Sequence, residues 1–395
     1  MKTTQHQLPH NNLSRRTLLQ GGGAAIAGLS VLRLAGPAHA FPRTQDAVVI
    51  PWLDQPEENP VPEVIVRQLD WEQLDSWLTP EDQFFVIKHF NLPELNERDW
   101  RLEIGGLVAQ PMTLTLTDLK ARERQEVTFA LECSGNSGLP FFTGGIGNAT
   151  WAGTPLAALL DEVGVLEPGI EVVFWGADAG EQTWREEISV TEQFARSMAL
   201  ADALSPDTML VYEMNGEPLP ALHGFPLRLI APGWYGVANV KWLTRIEVLD
   251  RRYQGHFMAR DYVTIREEAR DGETVWTFTS VTRDRLKSMP AKVTRQGDTS
   301  SIMGAAWGAP IAGVEVRIDA GEWSPATLTE GEGSAYAWTF WTYDWGTPSP
   351  GEHSVTSRAI AVNGEVQPAP DDPLLAGKQT YWESNGQITR RVSIT

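Results

Sequence analysis

The chain contains a single cysteine, Cys133. Val127, Phe129, Leu131 and Cys133 share one parity, a spacing that places the thiol at the end of the apolar face of a strand. Ser134-Gly135-Asn136-Ser137-Gly138 follows and opens that strand into a turn-rich loop, where a ligand could reach the sulfur. A lone cysteine excludes an internal disulfide, a multi-cysteine zinc or iron–sulfur site, and haem attachment through Cys-x-x-Cys-His. Two readings stay open for such a residue. One is a small buried hydrophobe; the other is a thiolate bound to a soft metal, which would also protect it in an oxidising compartment.

Other catalytic residue types are sparse. Past residue 40 the only histidines are His89, His223, His256 and His353, and none has His-x-x-x-His spacing, which argues against a simple zinc site. There is no Gly-x-Ser-x-Gly elbow and no Walker loop. Gly144-Gly145-Ile146-Gly147 lacks the lysine and serine of a phosphate loop and signals only a tight turn. A second cluster runs from His223-Gly224-Phe225-Pro226-Leu227-Arg228 through Ala231-Pro232-Gly233-Trp234-Tyr235-Gly236 to Asn239-Val240-Lys241-Trp242. It offers imidazole, guanidinium, amide and ammonium groups interleaved with glycine, a set suited to a phosphate or a polar heterocycle, or else to a charged surface loop.

These residues need a scaffold, and the 395-residue length allows two to three domains. Apolar residues are 42% and charged residues 21%, which is ordinary for a globular chain. The formal charge of −19 argues against nucleic-acid binding. Residues 1–40 read as a Tat signal: Arg15-Arg16 precede an apolar run from Gly21 to Leu29, and Ala38-His39-Ala40 is a small-x-small cleavage pattern. Their removal takes Lys2, Arg15, Arg16 and Arg33 and no acids, which moves the formal charge from −19 to −23. No further segment is apolar and long enough to span a membrane, and the expectation is a soluble periplasmic protein. Residues 41–80 are rich in proline and acids and read as an extended arm.

Residues 81–265 carry an α+β pattern. In that part Thr154-Pro155 predicts an N-cap with proline at the first helical position. Leu156, Leu159, Leu160 and Val163 share one helical face, and Gly164 closes the helix. Ile170–Trp175 reads as a strand, and Asn215-Gly216 as a hairpin turn. Residues 266–395 lose the helix signal. Val314, Val316 and Ile318 alternate, as do Tyr336, Trp338 and Phe340, and turns fall at Asp319-Ala320-Gly321 and Asn363-Gly364. This pattern predicts an all-β sandwich of immunoglobulin type.

Over residues 75–395 the chain resembles the sulfite oxidase family of molybdenum enzymes. The motifs that carry the resemblance are Phe84-Phe85-Val86-Ile87-Lys88-His89-Phe90, Leu131-Glu132-Cys133-Ser134-Gly135-Asn136, Tyr212-Glu213-Met214-Asn215-Gly216, and the cluster from His223 to Trp242. It implies a sulfite-oxidase-type molybdopterin domain followed by a dimerisation sandwich, hence a homodimer. The implied cofactor is Mo-molybdopterin with one molybdenum, held by Cys133 as the single protein ligand. Phe85, Val86, Ile87, Lys88 and His89 would lie along the pterin. Asp178, His223, Arg228, Asn239, Val240 and Lys241 would grip the cofactor and its phosphate. Tyr262 matches a tyrosine beside the metal, which would bond the transferred oxygen and gate proton release. Trp151 matches a tryptophan of the substrate pocket, with plain core packing as the alternative for both aromatics.

The implied reaction is two-electron oxygen-atom transfer, in which water supplies the oxygen and electrons leave one at a time. With no haem motif, the expected electron partner is a separate periplasmic carrier, a c-type cytochrome. The alternatives are a sulfane dehydrogenase, an S-oxide reductase, or a non-enzymatic periplasmic scaffold, which metal analysis would separate from the enzyme. Sulfite-oxidising relatives surround the metal with arginines, since a dianion entering a partly dry pocket needs fixed positive charge. The corresponding positions here are Ile87, Gly138 and the segment Tyr381–Gly386, with Lys88 and Arg260 nearby in sequence. The expectation is therefore that sulfite is a poor substrate and a less charged sulfur compound a better one.

Overall fold

A computed structural model of the chain describes residues 47–184, 187–329 and 334–395. The expected signal peptide lies outside the described residues. Two sheets build the first half. Strand Gln125–Glu132 pairs antiparallel with Ile146–Pro155, which pairs with Met209–Met214. Leu243–Leu249 lies parallel to Leu102–Gly106 and antiparallel to Glu171–Trp184, which pairs in turn with Ile188–Ala199. Helices are short, and Leu156–Val163, with 8 residues, is the longest among the described residues. The expected α+β half is therefore mostly β.

Local chemistry explains the joints. Leu156, Leu159, Leu160 and Val163 are fully buried, as their spacing predicts, and each contributes roughly 1.5–3 kcal/mol by leaving water. Gly164 ends the helix at φ 66°. The start differs from expectation: Pro155 is itself the N-cap residue and gives no side-chain cap. The Thr154 hydroxyl donates instead to the Leu119 carbonyl at 3.1 Å, which ties the helix entry to helix Leu116–Lys120. Asn215 and Gly216 both take positive φ, 51° and 85°, and make the hairpin turn their types suit.

The C-terminal part is a β-sandwich. One sheet contains Lys287–Gln296, Thr299–Trp307 and Thr339–Gly346; the other contains Ile311–Ile318, Gly351–Ala361 and Ile388–Ile394. Val293, Ile302, Val316, Trp341, Val355 and Val392 share its apolar core. Tyr336 and Trp338 precede strand Thr339–Gly346 and do not lie in it. Residue 265 falls inside hairpin Val263–Arg270/Glu273–Ser280, so the loss of helical pattern there marks a hairpin, and the sandwich starts at Lys287.

The proline-rich segment after residue 47 is not a free arm. Val48–Ile50 adds an edge strand to the sandwich, and Ile65–Arg67 pairs with Val86–Ile87. Trp52, Trp71 and Trp77 are buried, and their indole N–H groups donate to the carbonyls of Ala291, Thr143 and Trp338. Burying an indole whose N–H is satisfied anchors irregular backbone as firmly as a strand would.

Candidate active site

Cys133 lies one residue past strand Gln125–Glu132, and Tyr262 follows the short helix His256–Ala259. They stand where two chambers meet, and Ile87 and His89 also line both. The inner chamber carries Asp178, His223, Arg228 and Lys241. The outer chamber opens between Ile65, Leu139, Phe141, Phe142, Tyr381 and Trp382, with Arg260 and Asp261 at its edge.

The inner chamber is cationic, and its Asp178, His223 and Arg228 side chains are buried. Arg228 donates to the His223 and Asn239 carbonyls at 3.0 and 3.1 Å, and its Nε has no partner. Burial lowers this guanidinium to about 9. Lys241 Nζ donates to the Ile87 and Leu222 carbonyls at 2.8 and 3.2 Å. Burial, and then repulsion from Arg228, lowers it to about 7. Asp178 projects from a bulge between Trp175 and Ala179 in the pairing of Glu171–Trp184 with Ile188–Ala199, the usual device for re-aiming a side chain. A Cβ on Gly176 would come within 2.4 Å of Asp178 Oδ1, so only glycine fits there. That oxygen has no hydrogen-bond partner, and burial raises the carboxyl to about 6. His223 is held neutral, its pKa lowered to about 3 chiefly by burial. Its Nε2 lies 3.1 Å from the Glu81 carbonyl. A carbonyl only accepts, so Nε2 carries the proton and Nδ1 remains an acceptor.

At the junction, His89 Nε2 and the Tyr262 hydroxyl are 2.6 Å apart. Burial lowers His89 to about 3 and raises Tyr262 well above its ordinary value. Both are therefore neutral and joined by a single hydrogen bond. The Cys133 thiol is pushed up to about 12 by burial; a metal would hold it as thiolate.

These groups fit a molybdenum-bearing pterin. Two buried cations lack a counter-charge of equal size, which suits a phosphate. The orphan Asp178 oxygen suits a ring N–H. Among the described residues no three His, Cys, Asp or Glu side chains gather around an ion, so a lone thiol fits a metal that brings its other ligands with it.

Residues 89–257 match the model of the oxidoreductase molybdopterin binding domain. The chain is 30% identical over 298 residues to sulfite oxidase of Arabidopsis thaliana, covering 67% of this chain and 73% of that one. It belongs to the sulfite oxidase family. It is also 35% identical over 302 residues to the mitochondrial sulfite oxidase of Drosophila melanogaster, covering 68% of this chain. For the mitochondrial sulfite oxidase of Homo sapiens the identity is 32% over 332 residues, covering 76% of this chain. The chain spans only 50% and 59% of these two animal relatives. Among solved structures, the sulfane dehydrogenase SoxCD from Paracoccus pantotrophus is similar with a TM-score of 0.72 at 27% identity, over 96% of this chain and 98% of that one.

Within this family framework, some expected site residues take other places. Trp151 is fully buried and outside both chambers. Its ring meets the edge of Phe84 at 5.8 Å and underlies the Arg228 guanidinium at 4.7 Å, so it supports the cation and does not line a substrate pocket. Val86 and Val240 are buried behind the chamber wall. Lys88 is outside both linings, and its N–H donates to the Val64 carbonyl. Phe85, Ile87, His89, Cys133, Asp178, His223, Arg228, Asn239, Lys241 and Tyr262 do converge. The Asn239 amide accepts from Ala231 N–H and donates to the Trp234 and Tyr235 carbonyls, which fixes its own loop in the chamber wall.

Sequence reading missed Phe194, Leu222 and Trp242 in the inner lining, and Trp382, which stacks on Tyr262 at 4.4 Å. It also missed Arg196, fully buried 6.0 Å below the Tyr262 ring. Leu222 and Trp242 flank His223 and Lys241 in the quoted cluster, whereas Phe194, Arg196 and Trp382 come from distant elements and belong to no linear motif. Of the places where a sulfite-oxidising enzyme is expected to carry arginine, Ile87 lines both chambers and a Cβ on Gly138 would lie 2.1 Å from the Tyr381 carbonyl, while in the segment Tyr381–Gly386 Trp382 stacks on Tyr262. Arg260 donates to the Thr183 carbonyl beside Trp184.

Proposed function

We propose that the protein is a molybdenum-dependent oxidoreductase that transfers an oxygen atom to or from a small, uncharged sulfur compound. The observation that carries this reading is the meeting of a cationic chamber and an apolar, aromatic chamber at Cys133. Arg228 and Lys241 would bind the cofactor phosphate, Asp178 would orient its ring, and Cys133 would hold the metal. When bound, the cofactor supplies two-electron oxygen-atom transfer, with water and an external one-electron carrier closing the cycle. Tyr262 and His89 hold and pass a proton at the hydroxyl beside Cys133. The outer aromatic wall offers an anion Arg260, which Asp261 offsets.

The protein would be exported folded by the Tat route, work in the periplasm as a homodimer through its sandwich, and exchange electrons with a c-type cytochrome. A sulfane dehydrogenase or an S-oxide reductase remains within this reading; the extensive likeness to the sulfane dehydrogenase structure favours the first. The test is molybdenum and pterin analysis of protein from a molybdenum-replete host, followed by a panel of sulfite, thioethers, S-oxides and sulfane compounds with ferricyanide or cytochrome c. Metal-loaded protein should turn over an uncharged sulfur compound better than sulfite, and Cys133→Ala should abolish turnover. Protein without molybdenum or pterin would remove the enzyme reading. A sulfite kcat/KM above about 10⁶ M⁻¹s⁻¹, well inside the efficient range, would remove the substrate reading alone.

A further inference from the structure

Glu132 and Cys133 are consecutive, so their side chains leave the end of the strand on opposite faces. Cys133 faces the cavity. Glu132 faces the sandwich, where Lys287 Nζ lies 2.5 Å from its Oε1 and Trp307 Nε1 donates to its Oε2 at 2.8 Å. Lys287 and Trp307 are directly paired across strands Lys287–Gln296 and Thr299–Trp307. Glu132, Asn136, Lys287 and Trp307 are all fully buried.

From this cluster a chain of bonds runs to the cysteine. Asn136 Nδ2 donates to Glu132 Oε1 at 2.9 Å, and Lys287 Nζ also lies 3.3 Å from the Asn136 carbonyl. Asn136 Oδ1 accepts from Gly145 N–H at 2.9 Å. The Gly145 carbonyl accepts from Cys133 N–H at 2.8 Å, and Asn136 N–H donates to the Cys133 carbonyl at 2.9 Å. Both peptide groups of the cysteine are thus held by a network whose far anchor is the sandwich. A buried ion pair is weak evidence of stability in itself, because desolvation offsets its attraction. Its position against the one cysteine of the chain calls for a different role.

We propose that Lys287, together with Trp307, is a positioning residue for Cys133: the sandwich clamps Glu132 and Asn136 and so fixes where the thiol points. The proposal rests on the reading of Cys133 as the metal's protein ligand. It makes the site incomplete without the C-terminal part of the chain.

The test begins with the cofactor-free full chain. Its only cysteine is alkylated with iodoacetamide under native conditions and followed by intact mass. Glu132→Gln/Lys287→Met removes both charges together and so avoids stranding a buried carboxylate. Trp307→Phe is milder, losing one hydrogen bond while its ring still faces Trp71. Val355→Ala, in the sandwich core away from the loop, serves as a control for general destabilisation. The double variant should be alkylated about tenfold faster than wild type, the equivalent of about 1.4 kcal/mol. Trp307→Phe should show a smaller acceleration, and Val355→Ala none beyond what its lowered Tm explains. In loaded enzyme the double variant should lose about tenfold in kcat with KM unchanged. Wild-type alkylation in both loop variants, or equal acceleration by Val355→Ala, would overturn the positioning role. Metal and turnover retained by Cys133→Ala would overturn the ligand reading instead, while the alkylation rates would still decide the strap by themselves.

Discussion

Asp178 shows how a candidate binding residue is legible in its discomfort. Its carboxyl is buried with one oxygen unpartnered, and burial raises it to about 6. A raised carboxyl pKa means that the stabilising share of this group is complete below about pH 4, the ordinary carboxylate range, and is lost as pH rises through about 6. Asp178→Asn should therefore stabilise the cofactor-free protein at pH 8 by on the order of 2–3 kcal/mol, with no gain near pH 3. The same substitution should lower pterin content, because an amide answers ring N–H donors less well than a carboxylate. Thermal melts at the two pH values and pterin fluorescence check both signs. A variant less stable at pH 8 would mean that the carboxylate already has a partner in the cofactor-free protein.

At the scale of elements, loops from separate sheets decide which charges face the substrate. Ile87 ends the two-residue strand Val86–Ile87 and lines both chambers, so a guanidinium there has space and a target. Gly138 has neither, because its Cβ would meet the Tyr381 carbonyl. Ile87→Arg alone should raise kcat/KM for sulfite about tenfold, the worth of roughly 1.4 kcal/mol of added charge pairing, and should depress turnover of uncharged substrates. Gly138→Arg should instead lower Tm without improving sulfite use, since the loop after Cys133 must move to admit it. Steady-state kinetics and melting curves separate the two. Residue 87 is thus a permissive position for an arginine and residue 138 a forbidden one.

At the scale of the molecule, the acidic chain and its twin-arginine start belong to the proposed export. The exported form should begin at Phe41, which N-terminal sequencing checks; a retained Met1 would sink the assignment. The −23 charge left after such cleavage repels anions at long range, in keeping with an uncharged substrate. The sandwich carries a second load in this picture, since Lys287 and Trp307 reach across to the loop of Cys133. Loss of Lys287 or Trp307 should then be felt at Cys133, whereas loss of sandwich packing at Val355 should not.

What the sequence determined by itself was local or carried by motif. The parity of Phe129, Leu131 and Cys133 placed the thiol at a strand end, because side-chain direction alternates along any strand. The four apolar residues of helix Leu156–Val163 and the positive φ of Asn215 and Gly216 followed from periodicity and residue type. The tryptophans after residue 47 were hidden in proline-rich composition, since irregular backbone has no period to read. Only the tertiary structure decided that Trp151 props Arg228, that the Asn239 amide fixes its own loop, and that Trp382 stacks on Tyr262. It alone joined Lys287 to Glu132, 155 residues away. Strand and helix periods fix which face a side chain takes, but the partner on that face is set by sheet order and by where loops return. Those depend on the packing of the whole core, which no local pattern encodes.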